Sequence, residues 1–219
     1  TIQKKIGIKN IRLSDGSEAC AIDGTPADAV MLAIYKILKK PPDLLVSGIN
    51  LGHNLNIDDV LSSGTIGAAI EASIHHVPAI AVSCFVPETS SVKSDGKLSL
   101  RELETAATLA RRVANYVLEK GMPQDIDVIS INVPEMADPR KMRVTNLSYS
   151  SYTDIYTEYE GGYITEWGKE YGLETDTETD LYAIKSEGAI SITPITLRFP
   201  HKKERLRALL RFLCASEYP

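Results

Sequence analysis

The beginning of the chain is predicted to form a hairpin followed by a helix. Apolar and polar positions alternate loosely over Lys5–Ala21, around the turn sequence SDGS, which is typical of a β-hairpin. Apolar residues then recur at helical spacing until a Pro-Pro pair ends the pattern. Thr25 is suited to cap this helix, Pro26 to occupy its first position and Asp28 to complete a capping box.

Farther along, three short apolar runs alternate with two helical patterns. The runs Asp43–Ser47, Ala79–Cys84 and Asp127–Val133 have the continuous apolar character of strands that are buried on both faces. Helices are predicted over Thr65–His76 and Leu100–Lys120, the second after a loop with the sequence PETSSVKSDGK. Strands that alternate with helices favour an α/β fold with a parallel, doubly wound sheet.

The pattern changes after Lys141. Arg143–Ser150 is a candidate strand, and YTEYEGGYITEW, centred on a Gly-Gly pair, predicts an aromatic-rich hairpin. A lone hairpin cannot bury its own apolar face, so it is either a flap over the core or an oligomer contact, and the pattern leaves both open. GAISITPIT predicts a last strand, and His201–Cys214 predicts a terminal amphipathic helix.

Composition and charge exclude several classes of function. The 219 residues carry a net charge of -5 and show no basic stripe, which argues against a nucleic-acid polymer as partner. No apolar run approaches the length of a membrane span and no signal peptide is evident, so we expect a cytoplasmic protein without a membrane partner. Cys20, Cys84 and Cys214 are far apart and form no C-x-x-C pair, which predicts reduced, mostly buried thiols.

The stretch from Ser47 to Thr65 concentrates the candidate chemistry. It leaves a predicted strand and enters a helix, and ligands of open α/β sheets bind beyond the carboxyl ends of the strands. Ser63, Gly64 and Thr65 offer backbone N–H groups, two hydroxyls and an uncrowded helix start, where the helix dipole favours a phosphate. The alternative is ordinary helix capping by Ser63 or Thr65.

Two asparagines of this stretch are further candidates for ligand binding. Asn50 and Asn54 alternate with Gly48 and Gly52, so the backbone can turn sharply and both amides can point into one pocket. An amide oxygen can ligate a hard cation, and an amide NH2 group can donate to a phosphate oxygen. Alternatively, both side chains brace the loop by forming Asx-turns.

The acidic and histidine residues nearby are weaker candidates. Asp58 and Asp59 are adjacent, so their side chains diverge, and a carboxylate just before a phosphate-binding helix would repel its ligand. We interpret them as a solvated pair or as a helix or turn cap rather than as a metal site. His75 and His76 fall at a helix end and are interpreted as structural. His53 lies inside the polar loop and is a candidate proton donor or substrate contact.

A series of motifs runs in order from about Asp23 to Pro194. They are GTPADAV, PDLLVSGINLGHN, SSGTIGAAIEA, VPAIAVS, INVP and TDLYAIKSEGAISITP. In this order they resemble the SurE (survival protein E) family of metal-dependent nucleoside-monophosphate phosphatases. A Rossmann-type dinucleotide-binding protein is disfavoured, because no G-x-G-x-x-G turn follows any predicted strand.

The resemblance implies a three-layer, Rossmann-like α/β fold with a protruding β-hairpin and a swapped C-terminal segment. Residues 1–140 would form the core. Residues 141–219 would supply the hairpin, the last core strand and a C-terminal helix used to build a homodimer or homotetramer. The implied activity is that of a 5'-nucleotidase or acid phosphatase, which hydrolyses nucleoside 5'- or 3'-monophosphates to nucleoside and phosphate with Mg²⁺ or Mn²⁺.

The resemblance also implies roles for single residues. Asn50 matches a metal ligand of the family. The residues that match the phosphate pocket of the family are Asn54, Ser63, Gly64 and Thr65.

Family members begin with a strand that ends in an NDDG block, whose two Asp residues hold the metal. The chain resembles the family from a point after that block, so we expect the acidic pair upstream of Thr1, on about one βαβ-type unit. One neutral Asn cannot hold a divalent cation unaided. If the acidic pair is truly lacking, the alternative function is a non-catalytic oligomeric nucleotide-binding module.

Overall fold

The structure, a computed structural model, describes residues 3–84, 100–135, 137–151, 156–165, 174–198 and 203–215. Its strands are β1 (Ile8–Arg12), β2 (Glu18–Ile22), β3 (Leu45–Leu51), β4 (Ala79–Cys84), β5 (Val128–Val133), β6 (Met142–Val144), β7 (Tyr156–Tyr159), β8 (Gly162–Thr165) and β9 (Ile190–Ile195). Its helices are α1 (Pro26–Leu32), α2 (Asn56–Ser62), α3 (Gly64–Ile74), α4 (Leu100–Lys120), α5 (Asp180–Lys185) and α6 (Arg207–Ala215). A π-helical stretch, Ala33–Ile37, continues α1, and a 3-10 turn, Lys203–Leu206, precedes α6.

Five strands form one mixed sheet in the order β3-β4-β5-β9-β6. β3, β4 and β5 are parallel, β9 is antiparallel to β5, and β6 is parallel to β9. The strands β1–β2 and β7–β8 form two separate antiparallel hairpins. This architecture confirms the predicted Rossmann-like α/β fold.

Helices pack on both faces of the sheet and give it two apolar cores. α4 places Ala106, Leu109 and Val117 on one face, against a cluster that includes Ile80 and Ile131. α3 covers the other face with apolar residues that pack on the opposite side chains of the same strands. Because both faces are covered, every residue of β4 and of β5 is buried.

The elements with the clearest start signals lie where the sequence placed them. β1 and β2 confirm the first hairpin, and α4 has the predicted bounds. The α1 capping box is complete, because Thr25 Oγ1 accepts from the Asp28 N–H at 3.1 Å and Asp28 Oδ2 accepts from the Thr25 N–H at 2.8 Å. The predicted loop before α4 lies outside the described residues.

β3 differs from its prediction in length and in burial. It extends to Leu51, and it lies at the edge of the described sheet with β4 on one side only. Val46 and Leu51 are therefore 45% and 50% exposed. The prediction that this strand is buried on both faces was wrong, because an apolar run alone does not show whether a strand is central or at an edge.

The second half of the chain matches its predictions in part. β7–β8 and β9 confirm the predicted hairpin and last strand. The strand predicted over Arg143–Ser150 is wrong in its bounds, because regular pairing covers only β6, with an isolated bridge between Asn146 and Thr179 beyond it. α5 was not predicted. The terminal helix is confirmed as α6, and the predicted start at His201 lies outside the described residues.

The three cysteines form no disulfide, as predicted. The prediction that most of them are buried was wrong, because only Cys84 is buried, whereas Cys20 and Cys214 are exposed. Among the described helices, none combines the length and the hydropathy that a bilayer span requires.

Candidate active site

The end of β3 enters the candidate site through a bulge that requires glycine. The register between β3 and β4 shifts between Ser47 and Asn50, and Gly48 has a φ of 113° there. A Cβ at Gly48 would lie 2.3 Å from the carbonyl oxygen of Val82 in β4. Any side chain at this position would push the two strands apart, so Gly48 fixes where β3 places Asn50.

Asn50 lies half-buried near the end of β3. Its Nδ2 donates a hydrogen bond of 3.0 Å to the carbonyl oxygen of Gly52, where the chain turns with a φ of 124°. This bond braces the loop and also fixes the orientation of the amide. Oδ1 is then the atom that can face a ligand, which is compatible with the predicted role of Asn50 as a cation ligand.

Asn54 is buried and is held by two strands at once. Its backbone N–H donates to Asn132 Oδ1 at 2.9 Å, and its carbonyl oxygen accepts from Asn132 Nδ2 at 3.1 Å. Its side-chain Nδ2 donates to Ser83 Oγ at 2.6 Å. Ser83 and Asn132 are register partners near the carboxyl ends of β4 and β5. Asn54 is therefore a fixed point of the loop, with one hydrogen of its amide group left for another acceptor.

A short helix, α2, connects Asn54 to α3 where the sequence predicted a loop. The Asn56 N–H donates to Asp180 Oδ2 at 3.2 Å, and the Ile57 N–H donates to the Ser148 carbonyl oxygen at 2.9 Å. The Ser148 N–H in turn donates to Asp180 Oδ1 at 2.9 Å. The start of α2 is thus stabilised by acceptors from a distant part of the chain.

Asp180 is an almost fully buried carboxyl group. Burial raises the pKa of Asp180 to about 6, although the hydrogen bonds from the N–H groups of Ser148, Asn56 and Leu181 act to lower it. The cost of removing this carboxylate from water exceeds the stabilisation that the three donors provide.

Asp59 caps the same turn from inside the protein. Its Oδ2 accepts from the Leu55 N–H at 3.0 Å and lies 3.3 Å from His53 Nδ1. Of the two interpretations of the acidic pair, a turn cap is confirmed for Asp59, and a solvated residue is not, because Asp59 is buried. His53 is occupied by this pair and is itself mostly buried.

The start of α3 is capped by Ser63. Its Oγ accepts from the Thr65 and Ile66 N–H groups at 3.1 and 3.2 Å. Ordinary capping, one of the two alternatives for this position, is therefore present. Within the described hydrogen bonds, the Gly64 N–H and the Thr65 hydroxyl are not engaged, and they are the groups that an anion could meet first.

Gly64 also lies close to the beginning of α1. A Cβ at Gly64 would lie 3.0 Å from Cγ and 3.4 Å from Cδ of Pro26. The two helix starts therefore approach each other at this glycine, which a larger residue would force apart. This explains in physical terms why the motifs GTP and SSGT, far apart in the sequence, belong to one region.

The two histidines at the end of α3 are structural, as predicted. His75 caps the helix, and its ring nitrogens contact the Tyr35 hydroxyl at 2.7 Å and Glu71 Oε1 at 3.3 Å. His76 follows in a left-handed turn with a φ of 61°. Both residues belong to the carboxyl end of α3, whereas Ser63 and Thr65 belong to its amino end.

The described residues do not fit a complete divalent-cation site. Among them, no group of three or more His, Cys, Asp or Glu side chains is placed to hold a metal ion. Asn50 supplies one neutral oxygen, whereas Mg²⁺ takes six ligands and prefers carboxylates among them. The acidic pair that the sequence led us to expect is not among the residues that the structure describes.

Sequence reasoning missed three buried polar residues that hold the site together. Ser83 and Asn132 lie near strand ends, in the motifs VPAIAVS and INVP, and Asp180 lies in the motif TDLYAIKSEG. The sequence analysis assigned no role to these three residues. A polar residue near the end of an otherwise apolar strand was the available signal. The signal did not show which loop residue each side chain would contact, because that depends on the sheet register.

Comparison with known proteins gives consistent matches. The family model described as Survival protein SurE matches residues 1–154. A protein from Methanothrix thermoacetophila named 5'-nucleotidase SurE is 41% identical over 189 residues, which cover 84% of this chain and 71% of that protein. A protein of the same name from Archaeoglobus fulgidus is 36% identical over 201 residues, or 90% of this chain and 74% of that protein.

The fold matches a solved structure of the same family. The crystal structure of Sure protein from Aquifex aeolicus superposes with a TM-score of 0.68 at 27% sequence identity, and the match covers 97% of this chain and 81% of that one. The family model covers well over half of the chain, and the two relatives match it over most of its length. This chain belongs to the survival protein SurE family.

Proposed function

We propose that this protein is a phosphoric monoester hydrolase that converts nucleoside monophosphates to nucleoside and inorganic phosphate. The observation that carries the proposal is the match to relatives named 5'-nucleotidase SurE, at 36–41% identity over 84–90% of the chain. The polar residues of the matched motifs lie at the carboxyl ends of β3, β4 and β5, the edge where open α/β sheets bind ligands. The proposed substrates are nucleoside 5'-monophosphates and nucleoside 3'-monophosphates.

The phosphate group is proposed to bind at the start of α3. The Gly64 N–H, the Thr65 hydroxyl and the remaining Asn54 amide hydrogen are its donors, and Ser63 keeps the first turn of the helix in place. The positive end of the helix dipole adds attraction for the phosphate charge. The absence of a side chain at Gly64 makes room for Pro26 of α1, so the two helix starts lie side by side next to the proposed phosphate.

Asn50 is proposed as one oxygen ligand of a divalent cation, Mg²⁺ or Mn²⁺. Its amide is held by the bond to Gly52, so Oδ1 needs little reorientation to meet an ion. A cation at a phosphatase site supplies charge neutralisation of the phosphoryl oxygens. The remaining ligands are not among the described residues, and we assign no step of the reaction to the ion.

Self-association into a homodimer or homotetramer is also part of the proposal. Two exposed elements, the hairpin β7–β8 and the helix α6, carry large apolar side chains that the described part of the chain does not cover. Examples are Tyr159 and Tyr163 in the hairpin and Leu209 and Leu210 in α6. Surfaces of this kind favour contact with another copy of the chain.

Phosphate release tests the proposal directly. The purified chain, and a version extended toward Met wherever the reading frame continues before Thr1, are assayed with AMP, GMP and 3'-AMP in Mn²⁺, in Mg²⁺ and in EDTA. We expect phosphate release from the nucleotides in the presence of either metal and its loss in EDTA. Nucleotide binding without hydrolysis in any form of the protein would contradict the proposal and favour the non-catalytic binding module.

A matched pair of variants tests the role of Asn50. Asn50→Ala is expected to raise the metal concentration needed for half-maximal activity by about 10-fold or more, because one oxygen ligand is lost. Asn115 lies exposed on α4, and Asn115→Ala is expected to leave this concentration unchanged. An unchanged metal requirement in Asn50→Ala would remove Asn50 from the ligand set without affecting the proposed reaction.

A further inference from the structure

Asn132 makes an unusual pair of contacts with the main chain of the candidate site. It lies next to the last residue of β5 and is 1% exposed. Its Oδ1 accepts from the Asn54 N–H and its Nδ2 donates to the Asn54 carbonyl oxygen, at 2.9 and 3.1 Å. One side chain therefore satisfies both backbone groups of a residue that lies 78 positions away in the sequence.

The two bonds restrain both the position and the orientation of Asn54. A single hydrogen bond would allow the peptide units to pivot, whereas a donor and an acceptor on one planar amide restrain that rotation. The third bond, from Asn54 Nδ2 to Ser83 Oγ, then aims the side chain. Asn54 has no freedom to move without leaving buried polar groups unpaired, which is costly in this environment.

We infer that Asn132 is a positioning residue that sets Asn54 for binding the phosphate of the substrate. The inference rests on the proposed function and assigns a role that Asn132 exerts only through Asn54. Asn132 is buried and both polar atoms of its amide bond the main chain of Asn54, so its role is assigned to that contact. Its contribution is expected in the affinity for the phosphate group, because that is the group to which Asn54 is proposed to donate.

The first variant keeps the shape of the side chain and removes one hydrogen bond. In Asn132→Asp the carboxylate still accepts from the Asn54 N–H, but it has no proton to give to the Asn54 carbonyl oxygen, and the two oxygens repel each other. We expect KM for AMP and Kd for inorganic phosphate to rise by about 10-fold while kcat changes by less than about threefold. Asn132→Ala, which introduces no charge, is expected to change the constants in the same direction.

A double-mutant cycle separates positioning from general damage. When Asn54→Ala has removed the side chain that Asn132 positions, adding Asn132→Asp is expected to raise KM by less than about twofold. An equal rise in both backgrounds would show that Asn132 does not act through Asn54 and would overturn the inference.

Two control variants account for stability and for the change of charge. Thr193 is a buried residue of β9 whose hydroxyl bonds Thr145, so Thr193→Val removes a buried hydrogen bond away from Asn54 and is expected to leave KM unchanged. Asn115→Asp makes the same chemical change on an exposed helix face.

The outcomes distinguish this inference from the proposed function. If the wild-type protein hydrolyses AMP and the Asn132 variants match it in KM and in phosphate Kd, the inference is wrong and the proposed function stands. If the wild-type protein neither hydrolyses AMP nor binds inorganic phosphate, both are wrong. A rise in KM that disappears in the Asn54→Ala background supports both.

Discussion

The strands β4 and β5 and the helix α6 carry apolar residues of similar kind, yet they have opposite environments. All twelve strand residues are buried, whereas Leu210 on α6 is 61% exposed. The strands are covered by α3 and α4 of the same chain, but the described residues provide no such cover for the apolar face of α6. Apolar residues indicate that a surface will be covered. Only the structure shows which segments of the chain cover it.

The largest effect is expected when one apolar side chain is shortened in each of these two regions. Ile131→Ala in β5 is expected to lower the free energy of unfolding by about 3 kcal/mol, because it removes fully buried side-chain atoms and leaves a cavity. Leu210→Ala in α6 is expected to change it by no more than about 0.5 kcal/mol in dilute solution. Urea unfolding at low protein concentration measures both.

Light scattering adds a second measurement for the same two variants. Leu210→Ala is expected to weaken self-association, and Ile131→Ala is expected to leave the association state of the folded protein unchanged. An equal loss of stability in both variants would show that α6 contributes to the fold of the single chain and would erase the contrast.

Asp180 joins the later part of the chain to the start of α2 and is expected to make the stability of the protein depend on pH. The pKa of Asp180 is raised from 3.8 to about 6 in the folded protein, so between these values the folded state binds more protons than the unfolded state. Stability from this group is therefore greatest below pH 4 and is lost as the pH rises through 6. The corresponding free energy is about 3 kcal/mol.

Asp180→Asn provides the reference for this measurement, since it cannot titrate. The difference in unfolding free energy between the wild-type protein and Asp180→Asn is expected to fall by most of that amount, about 2 kcal/mol, from pH 4 to pH 7. Urea unfolding at four or five pH values follows the difference. If the unfolding free energies of the two proteins change with pH in the same way, the raised pKa of Asp180 is contradicted.

The smallest expected effect compares two glycines of α3. Gly67→Ala is expected to stabilise the protein by about 0.5 to 1 kcal/mol, because the helix favours alanine and nothing lies within 4 Å of the new Cβ. Gly64→Ala is expected to show no such gain, because its Cβ would press on Pro26. Only Gly64→Ala is expected to raise KM for AMP, by about 10-fold at most.

Thermal unfolding and steady-state kinetics on both glycine variants check this prediction. The two substitutions are identical in chemistry and lie three residues apart, so each serves as the control for the other. A KM that rises equally in both would place the phosphate elsewhere than at the start of α3.

Local signals in the sequence account for the elements that were predicted well. The Thr25–Asp28 capping box marks the start of α1, and the long amphipathic repeat marks α4, because these features depend on residues close together in the chain. The α/β class followed from the alternation of strands with helices, and its Rossmann-like form was implied by the family resemblance. The candidate site residues Asn50 and Asn54 and the SSGT motif were selected because polar residues stand out beside apolar runs, and their roles stay predictions.

The features that were missed depend on contacts between distant residues. α2 begins at Asn56, whose φ of 57° lies in the left-handed region that asparagine adopts more readily than most residues. Its first N–H finds its acceptor in Asp180, 124 positions away. The exposure of β3 depends on its position in the strand order. The pair of hydrogen bonds between Asn132 and the Asn54 main chain depends on the register of β5. Hydrophobic periodicity carries no information about any of these three.

The position of β9 has a consequence for how the protein is made on the ribosome. β9 lies between β5 and β6, and its last residue, Ile195, follows Val133 by 62 positions. At a synthesis rate of about 5 to 20 residues per second, the edge of β5 waits roughly 3 to 12 s for its partner. During that interval the free edge of β5, whose residues are all buried in the folded protein, presents unpaired backbone groups to other nascent chains. The strand order therefore sets how long this edge of β5 stays unpaired during synthesis.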